Sequence, residues 1–81
     1  MKMKIKILGT GCANCKKLEA NAKTAVLKTG IDAKIEKVED LKEILAYGVM
    51  RTPAIVVNEK VKSYGKVNTP EEIAKFIEEM K

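Results

Sequence analysis

The first 38 residues change their hydrophobic period twice, and this change restricts the possible folds most. Residues 2–7 alternate Lys with Met or Ile, which is the period-2 pattern of a half-buried strand. After the break at Gly9-Thr10-Gly11, apolar residues recur every three or four positions over residues 13–29, which predicts a helix that Gly30 ends. Residues 31–38 predict a second strand, whose alternation fails at its end. This order predicts a parallel βαβ unit.

A short helix follows the second strand. Asp40-Leu41-Lys42-Glu43 has the pattern of a capping box, in which Asp40 accepts from the backbone and Glu43 reaches back. Gly48 ends this helix after about two turns. Its apolar stripe consists of Leu41, Ile44 and Leu45.

The last third of the chain predicts two strands and a terminal helix. Residues 54–57 are apolar and rich in β-branched side chains, as in a strand buried on both faces. Residues 58–60 predict a hairpin loop and residues 61–64 the return strand. Thr69-Pro70-Glu71-Glu72 combines an N-cap, a proline at the first helical position and a capping box. The predicted order is β-α-β-α-β-β-α.

Cys12 and Cys15 are the only cysteines, and the chain contains no His. They lie where the first strand gives way to the first helix. The unpaired N–H groups and the positive dipole end of that helix stabilise a thiolate on Cys12, so its pKa should lie below that of an ordinary thiol. Cys15 lies one turn further on and within the apolar stripe, so it should be more buried. The spacing predicts a redox dithiol in which Cys12 attacks and Cys15 resolves the mixed disulfide.

Other uses of the two cysteines compete with this interpretation. A structural disulfide would close a very short loop and gain little from chain entropy. A structural zinc site needs four ligands, and this chain supplies two Cys and no His. Two inert core thiols are a further alternative. The main alternative from another functional class is a soft-metal module that binds and transfers Cu(I) through both thiolates.

The charge balance argues against nucleic acid as a partner. The net charge is +5, but Arg51 is the only arginine among 16 basic residues, and the aromatics are two Tyr and one Phe. Nucleic-acid binding favours Arg and interleaved aromatics. Scattered lysines indicate a solvated surface, or steering towards an acidic protein partner. No apolar run is long enough to cross a membrane, and no signal peptide is recognisable, so we expect a cytoplasmic protein.

Three features together resemble the thioredoxin-like superfamily over nearly the whole chain: the Cys12-Ala13-Asn14-Cys15 motif at a strand-to-helix junction, Thr52-Pro53 before a strand, and a hairpin ending at Gly65 before a last helix. The chain is most similar to the small redox-active disulfide proteins of glutaredoxin size. The resemblance implies a cis bond before Pro53 and backbone pairing of a substrate chain with Thr52. Substrate contacts would also come from Gly11, Ala13 and Asn14.

The resemblance also implies the partners of the chain. We expect a thiol–disulfide oxidoreductase that acts on protein or small-molecule disulfides and receives electrons from a thioredoxin-reductase-type donor. It would need no cofactor beyond the Cys12–Cys15 pair. At the position of the buried acid of thioredoxins this chain has Lys6. Lys6 is expected to be either a solvated strand residue or a charge that lowers the pKa of a thiol.

The expected fold class is α/β. We expect one thioredoxin-like domain over residues 1–81, with a four-stranded mixed sheet in the order 2-1-3-4 and three helices. The first and third helices should cover one face, and the short helix should cover the other, where the lysines of the first strand point. We expect a monomer.

Overall fold

The computed structural model describes residues 3–11 and 13–80. Within them, strands and helices follow in the predicted order β-α-β-α-β-β-α. Their bounds are β1 Met3–Leu8, α1 Ala13–Thr29, β2 Ala33–Val38, α2 Leu41–Ala46, β3 Ala54–Val57, β4 Lys60–Tyr64 and α3 Pro70–Glu79.

The four strands form one mixed sheet in the order β2-β1-β3-β4, which confirms the predicted order. β1 is parallel to β2 and antiparallel to β3, and β3 is antiparallel to β4. Leu8, the last residue of β1, lies opposite Ala54, the first residue of β3. The segments that follow β1 and precede β3 therefore meet at the same end of the sheet.

The larger part of the core lies between the sheet and the helices α1 and α3, as predicted. Ala22 and Ala25 of α1 are fully buried, and because their side chains are small, the helix can approach the sheet closely. Ile73 and Ile77 of α3 are also fully buried. The other buried members of this cluster are Met3, Ile5, Ile7, Leu18, Ile55 and Val57.

The opposite face of the sheet is covered by α2 and by Tyr47 and Val49, which follow it, and its cluster is smaller. Ile44 is buried, but Leu41 and Leu45 are 62% and 54% exposed, so the predicted three-residue stripe is wrong. A six-residue helix has fewer than two turns and presents only one position to the sheet. Val38 is buried in this cluster because it faces α2, which explains why the alternation of β2 fails at its end.

The two predicted capping boxes have different outcomes. At α3, Thr69 Oγ1 accepts from the Glu72 N–H at 3.2 Å, and Glu72 Oε1 accepts from the Thr69 N–H at 3.0 Å, which confirms the prediction. At α2, Asp40 is the N-cap but accepts from Lys42 N–H at 2.9 Å, and within the described residues Glu43 returns no bond to Asp40. A tighter Asx turn replaces the box there.

The hairpin loop between β3 and β4 contains two residues, not the predicted three. Asn58 and Glu59 both have positive φ, of 48° and 69°. This conformation is typical of the two-residue turn whose twist matches that of the flanking strands. Lys60 pairs with Val57 and belongs to β4.

Among the described residues, no helix has the length and apolar character needed to span a bilayer.

Candidate functional site

Of the two cysteines, Cys15 lies within the described residues and Cys12 lies outside them. Helix α1 begins at Ala13, the next residue along the chain after Cys12. Cys15 is in the first turn of α1 and is 6% exposed. Its burial agrees with its predicted place on the apolar stripe of the helix, and the predicted difference in accessibility from Cys12 falls outside the described residues.

Gly9 leaves the space that the Cys15 side chain occupies. A Cβ placed on Gly9 would overlap Sγ of Cys15 and would lie 3.2 Å from Cβ of Cys15. The same Cβ would lie 3.9 Å from Cβ of Thr52, so Gly9 separates Cys15 and Thr52 by about the width of one side chain. The Gly9 N–H donates to the carbonyl of Val38 at 3.0 Å, which ties this backbone to the end of β2.

The role of Gly9 goes beyond the strand break that the sequence predicts. Position 9 has no room for a side chain because Cys15, six positions later in the chain, packs against it. This contact forms only when α1 folds back against the end of β1. A glycine at the end of a strand, three residues before a Cys-x-x-Cys motif, is the signal that could have indicated this close approach.

Thr52 and Pro53 lie beside this contact. The peptide bond between them is cis. Pro53 is buried and Thr52 is exposed, and the Pro53 carbonyl accepts from the Gly65 N–H at 2.9 Å. Among the described residues, none forms a hydrogen bond with the backbone N–H or C=O of Thr52. Thr52 is therefore an exposed residue near Gly9 and Cys15 whose backbone pairs with no described residue.

The remaining predicted substrate-binding residues lie at the same end of the sheet. Gly11 lies between β1 and α1, Ala13 and Asn14 are the first two residues of α1, and all three are exposed. Gly11 has a φ of +88°, a conformation that favours glycine. The chain thus brings the loop after β1 and the loop before β3 to one surface, with Cys15 below it.

A cavity of about 320 Å³ opens beside Cys15, between α1 and the end of β2. Its wall combines the Cys15 side chain with two acidic and two basic residues. Glu19, one turn after Cys15, is 18% exposed, and its carboxylate is 3.2 Å from Nζ of Lys37. The other charged residues of the wall are Lys16 and Glu39. The cavity gives water and small polar groups access to the neighbourhood of the buried thiol.

Comparisons with known proteins agree with this architecture. A family model described as the thioredoxin domain matches residues 3–78. The chain belongs to the thioredoxin-domain family. It is 47% identical over 75 residues to a thioredoxin of Methanothermobacter thermautotrophicus, covering 93% of this chain and 97% of the relative. It is 42% identical over 69 residues to a thioredoxin of Methanocaldococcus jannaschii, covering 85% of this chain and 79% of the relative.

Lys6 occupies the position at which thioredoxins have a buried acid. The sequence predicts either a solvated strand residue or a charge that acts on a thiol, and the contacts of Lys6 fit neither. Its side chain is 19% exposed, and its Nζ donates to Tyr47 Oη at 2.7 Å and to Glu59 Oε1 at 2.8 Å. The hydrogen bond to Glu59, followed by that to Tyr47, raises the pKa of Lys6 above its ordinary value. The same bond lowers the pKa of Glu59.

The Lys6 network lies on the α2 face of the sheet. Lys6 alternates with Ile5 and Ile7, which pack in the cluster that α1 and α3 cover. Cys15 belongs to α1 and lies beside Ile7 at the cavity wall. The thiol and the ammonium group are therefore on opposite faces of the sheet, and the charge of Lys6 is neutralised by Glu59.

The described residues do not form a metal site of three or more protein ligands. Within residues 3–11 and 13–80, no three His, Cys, Asp or Glu side chains come together in an arrangement that could hold a metal ion. A two-thiolate Cu(I) site would need Cys12, which lies outside these ranges. It stays an alternative that experiment has to test.

Proposed function

We propose that this thioredoxin-domain protein is a thiol–disulfide oxidoreductase that acts on disulfides of other proteins through Cys12 and Cys15. The observation that carries the proposal is the packing of Cys15. Its buried sulfur lies against Gly9 after the end of β1, and the exposed residue Thr52 lies near the same glycine. A protected thiol beside a place where an extended chain can bind is the arrangement that a resolving cysteine needs. Family membership supports the same reaction class.

The proposed reaction has two exchange steps. The thiolate of Cys12 attacks one sulfur of the partner disulfide, forms a mixed disulfide and releases the other partner sulfur as a thiolate. Cys15 then loses its proton and attacks the Cys12 sulfur. This second attack forms the Cys12–Cys15 disulfide and releases the second partner sulfur, so the partner gains two electrons and the protein loses two.

Thr52 is proposed to hold the partner during this exchange. Its backbone N–H and C=O have no hydrogen-bond partner among the described residues, and it directly precedes Pro53 and strand β3. An extended segment can add to such a backbone like an extra strand. Gly11, Ala13 and Asn14 are exposed on the same surface and would contact the segment near its disulfide.

The catalytic cycle requires a source of electrons. We propose a thioredoxin-reductase-type donor that reduces the Cys12–Cys15 disulfide in the cytoplasm, with no cofactor other than the cysteine pair. The relatives at 47% and 42% identity are named thioredoxins, which supports this class of donor.

Two serine variants test the assignment of roles. With a model protein disulfide, Cys15→Ser should accumulate a mixed disulfide, because no resolving thiol remains, and mass spectrometry detects this adduct. Cys12→Ser should reduce the disulfide no faster than buffer does. Wild-type protein should equilibrate with glutathione or dithiothreitol buffers at a definite midpoint.

The outcome that would reject the proposal is also specific. If Cys12→Ser retained the wild-type rate, Cys12 would not be the attacking residue. If the reduced wild-type protein exchanged with no disulfide but retained Cu(I) against a competing chelator, the chain would be a soft-metal module instead.

A further inference from the structure

Arg51 is the one arginine in the chain, and it directly precedes Thr52. Its side chain is exposed. Within the described part of the chain, seven lysines form ion pairs with acidic residues, whereas the Arg51 guanidinium has neither an ion pair nor a hydrogen bond. A planar group with five donors therefore faces solvent next to the proposed substrate-binding backbone.

The stem of Arg51 lies against Gly65. A Cβ placed on Gly65 would lie 3.3 Å from both Cβ and Cδ of Arg51 and 3.9 Å from its Cγ. Gly65 has a φ of +74°, and its N–H donates to the Pro53 carbonyl at 2.9 Å, so this glycine is fixed relative to the Thr52–Pro53 segment. Because the stem packs on a fixed surface, the Arg51 side chain loses less conformational entropy on binding a ligand than a freely moving arginine side chain would.

The two sequence segments that meet at the Arg51–Gly65 contact contain no acidic residue. No acidic residue occurs in the sequence between Glu43 and Glu59, or between Glu59 and Glu71, and these two segments include both the loop before β3 and the turn after β4. Met50 and Tyr64, which flank the Arg51–Gly65 contact in sequence, are 90% and 61% exposed. Arg51 is therefore an unpaired cation whose sequence neighbours on both sides of the contact include exposed apolar side chains.

We propose that Arg51 is a specificity-determining residue that binds a carboxylate of an acidic residue flanking the disulfide of the substrate. This inference rests on the proposed thiol–disulfide exchange at Cys12 and Cys15. A substrate segment paired with Thr52 passes directly beside the guanidinium. A carboxylate on that segment can accept two parallel N–H bonds from the guanidinium, which lysine cannot provide with the same geometry.

Two peptide disulfides that differ only in charge provide the test. One is the symmetric disulfide of a blocked Glu-Cys-Glu tripeptide, and the other is that of a blocked Gln-Cys-Gln tripeptide. The fully reduced protein is mixed with each disulfide, and the second-order rate constant of peptide thiol release is measured. No upstream electron donor is needed, because each protein molecule reacts once.

The wild-type protein should react faster with the Glu peptide. Arg51→Gln should slow that reaction about tenfold, equivalent to about 1.4 kcal/mol, and leave the rate with the Gln peptide within about twofold. Arg51→Lys should restore only part of the loss, because it keeps the charge but not the fork. The matched control is Lys75→Gln, which removes one charge from an exposed residue of α3, and it should change both rates less than about twofold.

The inference is overturned if Arg51→Gln slows both peptides equally, or neither, or if Lys75→Gln slows the Glu peptide as much as Arg51→Gln does. The last result would show that net charge alone steers the substrate. If the wild-type protein reacts with neither peptide, the proposed exchange function fails, and this inference fails with it. If the wild-type protein reacts with the Gln peptide as fast as with the Glu peptide, the proposed role of Arg51 is rejected, while the proposed exchange function stands.

Discussion

Substitution of Gly9 by Ala should destabilise the protein through one identifiable contact. The new Cβ would overlap Sγ of Cys15 and would lie 3.2 Å from Cβ of Cys15. Gly9 cannot withdraw easily, because its N–H is bonded to the Val38 carbonyl at 3.0 Å. Cys15 is buried in the first turn of α1, so relief requires a shift of the helix or of the strand end.

Two opposing effects determine the size of the change. Overpacking of a buried site costs about 1–3 kcal/mol. The φ of Gly9 lies outside the left-handed region, so alanine can adopt this backbone conformation and restricts the unfolded chain, which stabilises by about 0.4–1 kcal/mol. From the middle of the two ranges, the net loss should be about 1.3 kcal/mol, which corresponds to a decrease in Tm of about 5–10 °C for a domain of this size.

A double-mutant cycle isolates the contact. Urea unfolding of the wild type, Gly9→Ala, Cys15→Ala and the double variant is followed by circular dichroism in dithiothreitol. Because Cys15→Ala removes Sγ but keeps the Cβ that would lie 3.2 Å from the new one, the Gly9→Ala substitution should cost clearly less in that background than in the wild type.

Gly30→Ala is the matched control for this cycle, since Gly30 has a φ of +67° and a Cβ there would meet no atom within 4 Å. The backbone strain that Gly30→Ala introduces is independent of Cys15. This substitution should therefore lower the free energy of unfolding by the same amount in the wild-type and in the Cys15→Ala background. An equal cost of Gly9→Ala in the two backgrounds would refute the reasoning.

Two further predictions concern a helix end and an ion pair. Thr69→Ala removes the side chain that accepts from Glu72 N–H at 3.2 Å, so it should lower the free energy of unfolding by about 1 kcal/mol, whereas a change below about 0.3 kcal/mol in urea unfolding would contradict the importance of this cap. The pKa of Glu59 is lowered, chiefly by Lys6, so its stabilising effect is complete above the ordinary carboxyl pKa of 4.5 and is lost as the pH falls through the lower folded-state value. Lys6→Met should therefore lower Tm at pH 7, and the difference from the wild type should become smaller as the pH falls through the folded-state pKa of Glu59, while the part due to the hydrogen bond with Tyr47 remains; a difference that does not change with pH would mean that the ion pair with Glu59 adds nothing to stability.

The sequence predicts those elements whose determinants are local. Thr69 and Glu72 are three residues apart and satisfy each other's backbone, so the start of α3 could be placed from four letters of sequence. The apolar run at residues 54–57 likewise required only its own composition, and all four residues are buried. The sheet order was predicted correctly because the order of elements matched a known family.

Contacts between distant parts of the chain could not be predicted in this way. Lys6 and Glu59 are 53 positions apart, and the two-residue turn that carries Glu59 to Lys6 was not recognised from Asn58-Glu59-Lys60. The contact of Gly65 with Arg51 also depends on the folded hairpin. The exposure of Leu41 and Leu45 also could not be predicted, since the spacing of apolar residues does not determine how many turns of α2 contact the sheet.

The position of β1 within the sheet has a consequence for the order in which the chain can fold. Of the four strands of this sheet, β1 comes before the others in the chain, and its parallel partner β2 follows after one helix, but its antiparallel partner β3 comes only after α2. Until β3 leaves the ribosome, one edge of β1 has no partner, and an unpaired edge invites pairing with other chains. The lysines at positions 4 and 6 place charge along this strand, and charged side chains on an unpaired strand disfavour such pairing.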